Sequence, residues 1–234
     1  MNIKKVLLKI SGEYFAGEAK TGINFDILNS IAEEIKQIYE SGYQISVVIG
    51  GGNIYRGAFA YENGLEREKA DYIGMLATVI NALSLSGFLK KIGVRSEVMS
   101  SIDISPICKQ YVIDEARALL NSGVVMFFAA GTGNPYFSTD TSAILKGLEM
   151  GVDAVVKCTK VDGVYSADPT KYSDAVFYEK LSYDDVLVKN LGIMDLSAIS
   201  LAKVNKMPIM VGSIKKFGNI MNVLEGKGKF TVIC

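Results

Sequence analysis

Residues 124–135 read Val-Val-Met-Phe-Phe-Ala-Ala-Gly-Thr-Gly-Asn-Pro, and this stretch decides the fold. Val124 to Phe128 is apolar at every position, the pattern of a central strand covered on both faces. It runs through Ala130 into Gly131-Thr132-Gly133-Asn134-Pro135, which ends the strand in a turn. Two other predicted strands end in the same way. Val6 to Ile10 gives way to Ser11-Gly12, and Ile45 to Ile49 gives way to Gly50-Gly51-Gly52-Asn53.

Helical patterns fill the intervals. Ile27, Ile31, Ile35 and Ile38 recur at steps of four, four and three, from an N-cap at Asp26 to Ser41-Gly42. Tyr72 to Leu89 is uncharged throughout and reads as a helix, followed by a strand from Val94 to Met99. Ile113 to Ser122 is a helix leading into the decisive strand, and Thr139 to Met150 is a helix leading into a strand from Ala154 to Lys157. Short apolar runs alternating with helices predict βαβ units. The expected fold class is therefore α/β, an open and mainly parallel central sheet sandwiched by helices in three layers. Residues 159–180 lose periodicity and gather Asp, Gly, Tyr, Pro and Lys, as functional loops often do. Two short helices and strands at 208–211 and 230–233 are expected to close the chain. No linker interrupts it, so one domain is predicted, with an N-terminal lobe of about 1–150 and a C-terminal lobe of about 151–234.

Composition narrows the chemistry. The 234 residues carry 25 basic and 25 acidic side chains and no histidine. Zero net charge argues against a general nucleic-acid or anionic-membrane binder, which works through a basic surplus. The missing histidine removes Ser-His-Asp and Cys-His nucleophilic sites, histidine-bearing zinc sites and the catalytic loop of protein kinases. Lys, Arg, Asp, hydroxyls and backbone amides remain. Cys108, Cys158 and Cys234 are an odd number without a C-x-x-C pair, as expected of thiols in a reducing compartment. The apolar run at Val6 stops at Lys9, too short for a signal peptide, so a cytoplasmic location is expected. Tyr72 to Leu89 approaches the length of a membrane span, but Thr78, Asn81, Ser84 and Ser86 favour a core or subunit-interface helix.

The three glycine turns share the C-terminal edge of the sheet, where open α/β folds bind ligands. Glycine there lets a phosphate approach the backbone, and the helix start that follows supplies N–H donors. Neither a G-x-x-x-x-G-K-[ST] loop nor a G-x-G-x-x-G after the first strand is present, so any phosphate site uses another scaffold. Lys9 lies one residue before the end of its strand and reads either as an ammonium facing the crevice or as a snorkelling edge residue. Arg56 follows the triple glycine by four residues, about one helical turn, and is expected to face the same phosphate. Asp140 falls in the first turn of its helix, where an acidic group also suits the helix dipole.

Lys9-Ile-Ser-Gly12, Gly50-Gly-Gly-Asn-Ile-Tyr-Arg56, Gly131-Thr-Gly-Asn-Pro-Tyr-Phe-Ser-Thr-Asp140 and Lys157-Cys-Thr-Lys-Val-Asp-Gly-Val-Tyr-Ser-Ala-Asp-Pro169 together resemble the amino acid kinase family. The likeness covers essentially the whole chain and is closest to the bacterial UMP kinase branch, whose Gly-Thr-Gly-Asn-Pro-aromatic segment this chain carries. The resemblance implies transfer of the γ-phosphoryl group of ATP to UMP, with Mg²⁺ accompanying ATP. It implies that Lys9, Ile10, Ser11, Gly12, Gly52 and Arg56 hold the ATP phosphates, and that Thr159, Tyr165 and Asp168 line the nucleoside part of that site. Gly51, Asp71, Thr132, Gly133, Asn134, Pro135, Tyr136, Phe137, Ser138 and Thr139 are implied for UMP. Lys9, Arg56 and Asp140 are implied in catalysis with a second lysine, for which Lys157 and Lys160 are both candidates; Lys157 heads the expectation. The N-terminal lobe is implied to take the acceptor and the C-terminal lobe ATP.

The resemblance further implies a homohexamer with the Tyr72 to Leu89 helix at a subunit contact, GTP as activator and UTP as inhibitor. Residues Gly17, Glu18, Ala19, Lys20, Thr21 and Gly22 correspond to the activator loop, though their interior departs from the commonest version. Neither nucleic acid nor membrane is an expected partner. The alternatives are a sister kinase acting on a carboxylate or carbamate, and a non-catalytic nucleotide-binding protein of the same fold.

Overall fold

The computed structural model describes residues 3–234. Along the chain the elements are β1 (Lys5–Ile10), α1 (Gly12–Phe15), α2 (Phe25–Glu40), β2 (Gln44–Ile49), α3 (Gly57–Glu62), α4 (Arg67–Lys91), β3 (Ser96–Ser100), β4 (Lys109–Gln110), α5 (Ile113–Asn121), β5 (Val125–Ala129) and α6 (Thr139–Met150). The remainder is β6 (Ala154–Thr159), β7 (Val164–Tyr165), β8 (Phe177–Tyr178), β9 (Lys180–Leu181), α7 (Tyr183–Val188), α8 (Leu196–Asn205), β10 (Ile209–Ser213), α9 (Asn219–Leu224) and β11 (Thr231–Ile233).

Nine strands form one sheet in the order β4-β3-β5-β2-β1-β6-β10-β11-β9, and β7 and β8 pair as a separate hairpin. Every neighbouring pair in the large sheet is parallel except β10 and β11. The expected three-layer α/β architecture is what forms. The reason is visible in the side-chain alternation, which divides one set of strands between two cores. Val6, Leu8 and Ile10 of β1 pack with α2, α4 and α9, whereas Leu7 packs on the other face with α5, α6, α7 and α8. Phe127 and Phe128, adjacent in β5, likewise enter opposite cores.

Local details differ from the sequence expectations. Asn24, not Asp26, caps α2, accepting from the N–H groups of Asp26 and Ile27. Both side chains suit a cap, and the one at the preceding extended residue is in place to serve. Three helices rather than two follow residue 180, because Asn219–Leu224 forms a further short one. The aperiodic 159–180 segment contains the β7–β8 hairpin. The helix expected at Tyr72 to Leu89 extends in both directions as α4 and packs on α2, β2, β3 and β5. By length and composition α4 also passes as a candidate membrane span. One of its faces, with Tyr72, Ile73, Leu76 and Ile80, is open to solvent.

The crossovers position the site. The chain leaves β1 and β2 for the α2 and α4 face, and leaves β5 and β6 for the α6 and α8 face. Since β1 neighbours β6 and β2 neighbours β5, the connections diverge at both junctions. Each divergence opens a crevice at the C-terminal edge of the sheet.

Candidate active site

Lys9 and Lys157 stand directly opposite each other in the β1–β6 register and point toward α6. Two ammonium groups so placed repel one another. Asp140, the second residue of α6, resolves the conflict: its Oδ1 lies 2.7 Å from Lys9 Nζ and its Oδ2 2.7 Å from Lys157 Nζ. The Lys157 ammonium also donates to the carbonyl of Ile193. All three side chains are nearly closed to solvent, at 9%, 13% and 15% exposure for Lys9, Asp140 and Lys157. Burial alone pushes the Asp140 carboxyl up, but the two ammonium groups overcome it and hold the group below its ordinary value. Burial lowers Lys157, Asp140 pulls the opposite way, and the adjacent Lys9 adds to the lowering.

The capping of α6 fixes this centre. Ser138 is the N-cap, and its hydroxyl accepts from the N–H groups of Asp140 at 2.9 Å and Thr141 at 3.4 Å. That hydroxyl in turn donates to Asp195, which caps α8 and also accepts from Thr141 Oγ1 at 2.9 Å. Asp195 was not singled out by the sequence. Its place before an apolar helix signals an N-cap, but nothing local links it to Ser138, 57 residues earlier.

A cleft of about 390 Å³ opens at the β2–β5 junction, lined by Gly51, Asp71, Tyr136, Phe137, Ser138 and Thr139, together with Arg67 and Asp195. Asp71 Oδ2 accepts from Arg67 Nε at 2.9 Å and from the Tyr136 N–H at 2.8 Å. The Tyr136 hydroxyl donates to Glu68, and its ring lies under the Arg67 guanidinium at 5.5 Å. Arg67 and Glu68 are further residues the sequence reading passed over. Thr132, Gly133, Asn134 and Pro135 do not line this cleft. They turn back on themselves, with Asn134 N–H donating to Thr132 Oγ1 at 3.2 Å. Gly133 has φ +82°, and a Cβ there would stand 2.8 Å from the Ser101 carbonyl oxygen, so no other residue fits.

Two clefts lie on the β1–β6 side. One, of about 300 Å³, is bordered by Lys9, Ser11, Lys157, Thr159 and the exposed Lys160. The other, of about 480 Å³, is bordered by Thr159, Tyr165 and Asp168. Thr159, Gly192 and Ile193 belong to both. Ile10 is buried in the core. Gly12 abuts the β2 turn so closely that an added Cβ would lie 2.2 Å from the Gly50 carbonyl oxygen.

Arg56 is not drawn into the buried centre. After β2 the chain turns, with the N–H groups of Ile54 and Tyr55 both donating to the Gly51 carbonyl, and α3 begins only at Gly57. A single turn does close between Gly51 and Tyr55, but Arg56 lies just beyond it, extended, at the N-cap of α3. Its guanidinium instead pairs at the surface with Glu13 at 2.6 Å. Arg56 borders a surface cleft of about 440 Å³ with Gly52, Lys20 and Thr21. Gly17, Glu18 and Ala19 form a single 3-10 turn ahead of Lys20. Gly22 is tied to Asn53 through backbone and side chain.

Comparison with known proteins gives this geometry a lineage. The sequence profile of the amino acid kinase family matches residues 4–213. A protein of Ehrlichia canis named uridylate kinase is 48% identical over 236 residues, spanning 100% of this chain and 97% of its own length. One of Rickettsia typhi with the same name is 45% identical, spanning 100% and 96%. Among solved structures, UMP kinase from Bacillus anthracis superimposes with a TM-score of 0.96 at 36% identity, covering 100% of this chain and 96% of that one. UMP kinase from Ureaplasma parvum does so with a TM-score of 0.93 at 35% identity, covering 100% and 99%. With full-length likeness in both sequence and backbone, the chain belongs to the amino acid kinase family.

Proposed function

We propose that this chain is a UMP kinase, transferring the γ-phosphoryl group of MgATP to UMP to give UDP in pyrimidine nucleotide synthesis. The observation that carries the reading is the Lys9–Asp140–Lys157 centre, lying between an acceptor cleft at one sheet junction and donor clefts at the other. The full-length relatives named for this activity support the choice of acceptor.

The acceptor phosphate of UMP is already ionised at neutral pH, so no general base is needed and a chain without histidine suffices. Catalysis then consists of alignment and charge stabilisation. Lys9 and Lys157 neutralise charge that builds on the transferred group, and Asp140 keeps both ammonium groups aimed. Both oxygens of Asp140 are engaged by lysines. Magnesium is therefore assigned to the phosphate chain of ATP as part of the substrate, where it shields phosphate charge.

In this reading Ser11, Gly12, Gly52 and the end of β1 border the ATP phosphates, with Thr159, Tyr165 and Asp168 around the nucleoside. Gly51, Asp71 and Tyr136 to Thr139 hold UMP, with the 132–135 turn closing over it. Arg56 leaves Glu13 to clamp phosphate when substrate is bound. The acceptor lobe is residues 1–150 and the ATP lobe 151–234. The apolar face of α4 is assigned to a homohexamer contact, and loop 17–22, beside Arg56, to GTP activation, with UTP as inhibitor. The enzyme is placed in the cytoplasm. The reading is tested by incubating the purified protein with MgATP and, separately, UMP, CMP, dTMP, acetylglutamate or aspartate. UDP is the expected product; phosphorylation of an amino acid with none of UMP overturns the assignment.

A further inference from the structure

Asn53 and Asn81 are both buried, and they are bonded to each other. Asn81 sits in α4 and is 0% exposed; Asn53 ends the glycine turn after β2 and is 1% exposed. Their amides pair reciprocally, Asn81 Nδ2 donating to Asn53 Oδ1 at 2.7 Å and Asn53 Nδ2 to Asn81 Oδ1 at 3.1 Å. Each amide has one N–H left. That of Asn81 goes to the Gly50 carbonyl at 2.8 Å, and that of Asn53 to the Gly22 carbonyl at 2.8 Å. All four N–H groups are thus satisfied, and losing one partner leaves a buried polar group unpaired.

The bond to Gly50 fixes a peptide plane. The 50–51 peptide is trans. In a trans peptide the N–H points away from the carbonyl, so drawing the Gly50 oxygen inward to Asn81 turns the Gly51 N–H outward. Gly51 lines the acceptor cleft, and the N–H groups of Gly51 and Gly52 have no acceptor among the described residues. Successive outward N–H groups of this kind make an anion seat. Gly12 lacks the Cβ that would come within 2.2 Å of the Gly50 oxygen and 2.6 Å of Asn53 Oδ1, so the arrangement has room to form.

We propose that Asn81 is a positioning residue: by holding the Gly50 carbonyl it presents the Gly51 N–H to the phosphate of the acceptor, and through Asn53 it ties this turn to loop 17–22. The proposal rests on the UMP kinase reading and refines how the acceptor phosphate is held.

Asn81→Asp and Asn81→Leu are nearly isosteric and remove the N–H donors. The readout is the KM for UMP beside the Ki of uridine, which carries the same base and ribose without phosphate. The expected result is a UMP KM raised at least ~10-fold with the uridine Ki within about twofold of wild type. An unchanged KM, or equal weakening of both ligands, overturns the proposal. Should neither variant fold, ¹⁵N-labelled wild-type protein titrated with inorganic phosphate decides it. The Gly51 and Gly52 amide signals are expected to shift, and signals that stay put refute it. Wild-type protein that makes no UDP counts against the kinase reading alone, because the phosphate titration needs no turnover.

Discussion

Two carboxyl groups are buried on opposite faces of the same sheet, and they end in opposite electrical states. Asp140 on α6 meets two ammonium groups and is held below its ordinary value despite burial. Glu34 on α2, 2% exposed, has no salt-bridge partner among the described residues; its Oε1 accepts from the Ile220 N–H at 2.8 Å, and burial raises it from 4.5 to about 7. Burial alone raises a carboxyl, and neighbouring cations reverse that effect. One site favours the anion that organises its cations, and the other titrates near neutral pH in the folded protein. Arg56 with Glu13 adds a third case, a pair at the surface that water screens.

The sharpest way to break this contrast is Asp140→Asn, which leaves two buried ammonium groups without a counter-charge. Turnover is expected to fall at least ~10³-fold, about 4 kcal/mol, with lower stability toward urea. A variant with near-normal kcat would make the centre merely structural. Lys9→Ala removes one cation but leaves Asp140 paired to Lys157. A loss in kcat of at least ~10²-fold, about 2.7 kcal/mol, with UMP affinity little changed is expected from steady-state kinetics. If the loss appears in KM instead, Lys9 is a binding group.

Glu34→Gln tests the other face. The folded protein keeps a proton on Glu34 that the unfolded chain has released between pH 4.5 and about 7. The wild type therefore loses stability as pH rises through that window, and the loss is complete above the folded value. Urea melts should find the variant more stable than wild type by on the order of 2 kcal/mol at pH 8, with the gap closing by pH 5. A gap independent of pH would mean that Glu34 is not the titrating group. The smallest effect is expected from Arg56→Ala: a rise of ~10-fold in substrate KM, about 1.4 kcal/mol, and an unchanged melting temperature. Loss of folding stability would show that its pairing with Glu13 is structural, against the phosphate-clamping role proposed for it.

The pattern of success in the sequence follows the range of the interactions. The apolar runs of β1 and β5 and the helical stretch from Thr139 to Met150 are local signals, and they placed those strands, the two-sided core and α6. Lys9 and Asp140 were legible as charged groups at the sheet edge, where strand ends and helix starts converge, whereas Lys157 entered only through the family resemblance and stood there beside Lys160. The position of Arg56 was not legible, since a seven-residue turn has no periodicity to read. Asp195 and the Asn53–Asn81 pair were missed for another reason: each acts through a partner distant in the chain, 57 and 28 residues away respectively. The N-cap of α2 was misread because two adequate capping side chains stand two positions apart.

The register that sets Lys9 against Lys157 has a bearing on synthesis. β1 leaves the ribosome well before its partner β6, which begins at Ala154. Until Asp140 and then Lys157 have been made, Lys9 has neither its counter-ion nor its neighbour. A nascent or prematurely terminated chain that stops short of β6 therefore cannot assemble the full Lys9–Asp140–Lys157 cluster, which is completed only with the closing of the sheet.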